Sequence, residues 1–141
     1  MLIDLWGVRG SISAPMGNVE YRLKIREILH RSLLAGITDM EDIEAFIEKL
    51  PENLQYNYGG NTTCAAVTSS SGRLYILDCG TGIRTLGDIL MKGPAGKGMA
   101  EIHIFVTHTH WDHIQGIPFF KPLYIPGNII HFHSGISDLE D

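Results

Sequence analysis

The stretch FVTHTHWDHIQG, residues 105–116, places three histidines and one aspartate in six consecutive positions, directly after the apolar run EIHIFV. A packed core does not take four such groups together, so the fold must carry a strand to an edge and release them there. In an extended segment, side chains at i, i+2 and i+4 share one face. His108, His110 and Asp112 have that spacing, and His113 follows where Gly116 and Pro118 turn the chain. Imidazole nitrogen and carboxylate oxygen suit zinc, iron(II) and manganese. A single histidine would read as a surface group or a hydrogen-bonded core group. The pattern H-x-H-x-D-H at a strand end reads as a metal site. The unbroken apolar character of EIHIFV predicts a strand buried on both faces.

The rest of the chain supplies an α/β frame around that strand. LIDLWGVRGS is a short strand broken at Gly7 and Gly10. From about Asn18 to Ala35, residues Val19, Leu23, Ile25, Ile28, Leu29 and Leu33 recur with helical period. ITDMEDIEAFIEKLPEN is expected to form a second helix, capped by Thr38 or Asp39 and ended by Pro51. Together they predict a solvated helical hairpin at about 18–52. TCAAVTS and RLYILD, joined by Ser-Ser-Ser-Gly, predict a β-hairpin. GTGIRTLGDILMKG opens a helix through Ile83, Leu86, Ile89 and Leu90, GPAGKGM is a loop, and NIIHFHSG is a further strand. Ser137 with Glu140 three positions on marks a helix start.

Composition narrows the class. At 141 residues, 44% hydrophobic and 19% charged, the chain has the make-up of one globular domain. No apolar run approaches the roughly 18 residues of a membrane span, and the N-terminus has no signal-peptide pattern. The cytoplasm is the expected compartment. Cys64 and Cys79 lie in apolar surroundings with no CxxC pair, so buried free thiols are expected. A net charge of −5 argues against broad binding to nucleic acid or lipid surfaces. It leaves an anionic substrate open, nucleic acid included, because bound dications reverse the local sign.

THTHWDHIQG resembles the signature motif of the metallo-β-lactamase-fold hydrolases. WGVRGS, YGGNTTC and LDCGTGIRTLG follow the family's order and are similar to its phosphodiesterase-like branch, which includes ribonuclease Z and the cyclic phosphodiesterase of phosphonate metabolism. The likeness covers nearly the whole chain apart from residues 18–52. It implies one domain over residues 1–141 with the hairpin inserted: the N-terminal half of an αβ/βα sandwich, with a mixed sheet and flanking helices.

The resemblance also implies roles. His108 and His110 would hold one divalent ion, and Asp112 and His113 a second; zinc is the expected metal, with manganese or iron as alternatives. Asp112 would also orient the attacking water. Asp78 would support the histidine loop, or it serves only as a turn former before Gly80. Gly59, Gly60, Asn61, Thr62 and Arg9 would border the substrate pocket. Arg9 reads equally as a phosphate partner and as a surface arginine. A metal-activated water would then attack a phosphodiester without a nucleophilic side chain.

The family draws its remaining metal ligands from the second half of the fold, beyond Asp141. His131 and His133 share a strand parity and could substitute; His103 and His30 read as structural. Two protein ligands per ion fall short of a catalytic zinc site. The isolated chain is therefore expected to be an N-terminal half that binds metal weakly, hydrolyses poorly and pairs its open sheet with a second copy, as a homodimer or swapped oligomer. Alternatives are a hydrolase of a thioester, lactone or β-lactam, and a non-catalytic module for metal or protein binding.

Overall fold

The computed structural model describes residues 1–57 and 59–135. The helix start expected at Ser137 lies outside the described residues. By contact, the chain divides into two compact units, Met1–Ala14 with Gly60–Asp141, and Pro15–Gly59.

The second unit is helical. Helix α1 spans Asn18–Leu34, with Arg31 and Glu27 paired at 2.7 Å one turn apart. None of its residues is buried, and Val19, Leu23, Leu29 and Leu33 stay exposed. The apolar stripe that its period announces is therefore formed but largely open. The expected second helix is broken. A 3-10 turn at Met40–Asp42 leads into α2, Ile43–Glu48, and α3, Glu52–Gln55, begins after Pro51. Neither Thr38 nor Asp39 caps a backbone N–H; the Thr38 hydroxyl turns to the Asp39 carboxylate instead. Proline disfavours helical backbone in the residue before it, which fits α2 stopping ahead of Pro51 and a new helix starting beyond it. Leu50 and Leu54 are the residues this segment buries.

The first unit is a mixed five-stranded sheet: β1 (Leu2–Gly7), β2 (Cys64–Thr68), β3 (Leu74–Leu77), β4 (Glu101–Val106) and β5 (Ile129–Ser134), side by side in that order. The first two pairings are antiparallel and the last two parallel. The β2–β3 hairpin turns as its sequence announced. The Ser69 carbonyl accepts from the Gly72 amide, and Gly72 takes φ +80°, a backbone that other residues rarely adopt. Helix α4, Gly82–Leu90, forms the crossover to β4, and the short helix α5, Trp111–Ile114, follows the histidine loop. This is the mixed α/β sheet with flanking helices expected of a partial metallo-β-lactamase fold.

The core lies on one face of the sheet. Ile76 of β3, Ile102, Ile104 and Val106 of β4, and Cys64 and Ala66 of β2 pack with Ile83 and Leu86 of α4 and with Phe120. The residues of β4 alternate, because a strand sends successive side chains to opposite faces. The expectation of two buried faces is thus corrected: Glu101 and Phe105 are exposed and His103 half-buried on the opposite face. Register extends that face across the sheet through Tyr75, Leu77, His131 and His133 to Ile3 and Leu5.

Candidate metal centre

Strand β4 ends at Val106, and the histidine motif leaves it at once. His108 and His110 lie on the loop, and Asp112 and His113 lie in α5. The single-face strand geometry expected for His108, His110 and Asp112 is corrected accordingly: a loop and a helical turn bring the side chains together. The rings of His108 and His113 have centroids 4.0 Å apart, and those of His108 and His110 are 4.6 Å apart. Asp112 Oδ2 lies 3.5 Å from His113 Nε2.

One buried carboxylate organises this loop. Asp78, 4% exposed at the end of β3, faces His113 Nδ1 at 2.9 Å. It also accepts from the Thr107 amide at 2.8 Å and from the Thr107 hydroxyl at 2.9 Å. An ionised carboxylate only accepts, so His113 donates from Nδ1, which leaves Nε2 turned toward Asp112. The same logic runs one bond further. The Thr107 hydroxyl spends its proton on Asp78, so in the 2.9 Å contact with His108 it must accept from Nδ1. His108 thereby also presents Nε2. A metal-ligating imidazole is commonly fixed this way, by a bond on its other nitrogen. Between the two expectations for Asp78, a turn former and a support for the loop, the structure shows both. Its φ of +60° makes the turn and its oxygens hold the loop.

Asp112 is held from the other side. Its Oδ2 accepts from the Ser11 amide at 2.8 Å. That bond is the main cause keeping the Asp112 carboxyl below the ordinary carboxylate range. Its own backbone N–H, His113 and His110 add to the effect, while burial opposes it. Among the described residues, the non-glycine positions with positive φ are Ser11 and Asp78, and each hydrogen-bonds the motif. Such strained backbone persists where the surroundings over-determine it, and it gathers at functional sites.

Close glycine packing fixes the support. The Cys79 amide donates to the His113 carbonyl at 2.7 Å, and the Gly116 amide to the Cys79 carbonyl at 2.8 Å. A Cβ on Gly80 would lie 2.5 Å from the Asp112 carbonyl oxygen, and one on Gly116 would overlap the Gly80 carbonyl. Burial pushes the Cys64 and Cys79 thiols up to about 12, helped by Asp78. They are free and buried, as expected of packing groups.

The expected pocket residues fall into two kinds. Arg9 is exposed; its amide donates to the Asn61 carbonyl at 3.1 Å, and its backbone bridges Thr62. Gly60 and Asn61 are half-buried beside it. Thr62 is fully buried, so it cannot face a substrate. Thr62 and Thr81 exchange amide-to-hydroxyl bonds at 2.9 Å, and Gln115 donates to the Thr62 hydroxyl at 3.2 Å. Thr62 therefore ties the glycine turn to the start of α4 and the end of α5. Ser11, Thr81, Thr107 and Gln115 were not singled out from sequence. Thr107 had a visible signal, since it directly precedes the first motif histidine. Ser11 acts through its amide, which carries no residue code.

The donor types suit divalent ions: Nε2 of His108 and His113, the Asp112 carboxylate, and His110 exposed on the loop. Asp112 Oδ2 and His113 Nε2 lie 3.5 Å apart, while among the described residues no three ligand atoms of the motif gather within 4.8 Å of one another. His131 and His133 do not join it; they pair with Glu101 and His103 on the open face of the sheet.

The model of the Metallo-beta-lactamase superfamily matches residues 57–133, more than half of the chain. The chain belongs to the metallo-β-lactamase superfamily. This superfamily is hydrolytic and its members usually bind divalent metals. Among curated proteins, the chain is 31% identical over 91 residues to an atrochrysone carboxyl ACP thioesterase of Emericella nidulans, covering 64% of this chain and 29% of that protein. A second atrochrysone carboxyl ACP thioesterase, from Paecilomyces divaricatus, is 28% identical over 87 residues, covering 60% and 28%. The chain thus spans less than a third of the length of the curated relatives it matches. No solved structure matches it. Among the described residues no helix is long and apolar enough to cross a membrane.

Proposed function

We propose that this protein is a metal-dependent hydrolase of an acyl thioester, with His108, His110, Asp112 and His113 as metal ligands. The observation that carries the metal reading is the chain of bonds from Asp78. It fixes two imidazoles with Nε2 presented before any ion arrives. Divalent ions held there would supply Lewis acidity and a water of lowered pKa.

The chain's own residues do the rest. Asp78 keeps the proton of His113 on Nδ1, and Thr107 relays the same constraint to His108. The Ser11 amide keeps Asp112 anionic, so it can hold a cation or accept a proton from water. The Thr62–Thr81–Gln115 bonds fix the glycine turn alongside.

The thioester is favoured by the names of the two relatives. The phosphodiester reading keeps one specific support, an exposed Arg9 whose backbone is tied to Asn61 and whose guanidinium is of a type that binds anionic oxygen. The two substrate classes separate in one assay. With zinc supplied, the protein is tested on an acyl N-acetylcysteamine thioester and on bis(p-nitrophenyl) phosphate. Faster turnover of the thioester, lost in His110→Ala, is the expected result. Phosphodiester turnover alone would replace it with the second reading. No turnover of either, with zinc bound, would leave a binding module.

A further inference from the structure

Away from the motif, the open face of the sheet carries a second group of metal-ligating side chains. Among the described residues, Glu101, His103 and His131 offer one ligand atom each, and the three atoms lie within 4.8 Å of one another. Two of them sit on adjacent parallel strands in direct register, His103 on β4 opposite His131 on β5. Their rings stack at 4.6 Å with planes 13° apart. Both Nε2 atoms approach the same oxygen of Glu101, His131 at 3.1 Å and His103 at 3.7 Å.

Those lengths have a meaning beyond hydrogen bonding. Ligand atoms about 2.0–2.1 Å from a tetrahedral ion lie roughly 3.3–3.4 Å apart. The two observed separations bracket that edge. The remaining nitrogen of His103 is also engaged, since Nδ1 lies 3.0 Å from His133 Nε2. His133 thus engages Nδ1 of His103 and leaves Nε2 as the nitrogen turned toward Glu101. This is the arrangement in which a ligating imidazole is oriented by a partner behind it. The His133 ring is held in turn against Phe105, with centroids 4.5 Å apart.

We infer that Glu101, His103 and His131 form a second metal site, separate from the motif, which binds one late first-row dication such as Zn2+ or Ni2+. His133 positions His103, and water completes the coordination from the open side. Two imidazoles and one carboxylate are the donors that zinc and nickel favour over magnesium or calcium. The site uses no residue of the motif. His103 lies on the face opposite the buried Ile104, and roughly 10 Å of strand separates it from Val106, beyond which the motif begins. A bound ion would clamp β4 to β5.

Calorimetric titration with Ni2+ tests this on the double variant His108→Ala/His110→Ala, in which the motif is disabled. One equivalent is expected to bind. Adding Glu101→Gln or, separately, His131→Gln should weaken that equivalent at least tenfold. Glu101 is exposed and His131 half-exposed, so neither change opens the core, and far-UV circular dichroism checks the fold. Loss of all binding in the double variant, or an unchanged titration after both Glu101→Gln and His131→Gln, would overturn the site. Neither result touches the hydrolase reading, which depends on the motif alone.

Discussion

Asp78 Oδ2 and His113 Nδ1 meet at 2.9 Å across 35 residues of chain, one buried at the end of β3 and the other in α5. The contact makes Nδ1 the nitrogen that bonds Asp78 and leaves Nε2 to the motif. Its consequence is measurable. Asp78→Asn keeps the shape but turns an NH2 donor toward groups that themselves donate, the Thr107 hydroxyl and His113 Nδ1. Zinc affinity at the motif should fall about 10–100-fold. Stability should drop by about 2 kcal/mol from the lost charge-assisted bonds. Calorimetric titration and urea unfolding read the two effects separately, and an unchanged zinc affinity would remove Asp78 from the site.

Gly116 and Gly10 offer a matched pair of alanine substitutions. A Cβ at Gly116 would run into the Gly80 carbonyl, while one at Gly10 meets nothing within 4 Å. Gly116→Ala should cost about 3 kcal/mol, because a carbonyl in a buried turn has little room to retreat. Gly10→Ala should stay within about 0.5 kcal/mol. Thermal unfolding followed by circular dichroism would show the contrast.

The two cysteines should be inert in the folded protein. Their thiols are raised from 9.0 to about 12, chiefly by burial. The thiolate is the reactive form, so iodoacetamide at pH 8 should leave both unmodified in the native state and alkylate both in urea, as counted by mass spectrometry. The sign for stability follows. A pKa raised on folding favours the native state fully below pH 9.0. That contribution is lost progressively as pH climbs from 9.0 to about 12.

Zinc should stabilise the fold by linkage. At a free concentration 100-fold above its dissociation constant, one ion adds about 2.7 kcal/mol to unfolding. Differential scanning calorimetry with and without EDTA checks this. A melting temperature indifferent to both zinc and chelator would mean that no ion binds the native state preferentially.

Much of the fold was legible because it follows from period and punctuation. All five strands were marked by apolar runs between turn residues, and α4 by its glycine start and apolar repeat. The break at residues 37–53 was missed, since composition there favours helix throughout and only the geometry before Pro51 divides it. The burial of β4 on one face was hidden for a different reason. Glu101 and His103 alternate with Ile102 and Ile104 in EIHIFV, but Phe105, apolar on the same parity as the polar pair, makes the segment read as one apolar run. At the motif, residue types announced the chemistry, while backbone atoms do much of the holding. The amides of Ser11 and Thr107 are invisible to any reading of side chains. Thr62 shows the reverse case: a polar residue in a glycine turn looked available to a ligand, yet it is fully buried and its hydroxyl oxygen accepts from Thr81 and Gln115.

Ala14 and Gly60 are joined by a backbone hydrogen bond, amide to carbonyl at 3.0 Å, although 45 residues separate them. The helical excursion therefore departs and comes home at a single doorstep. A handful of glycines could span that gap, which makes this doorstep the place to graft a different segment onto the sheet that carries the motif.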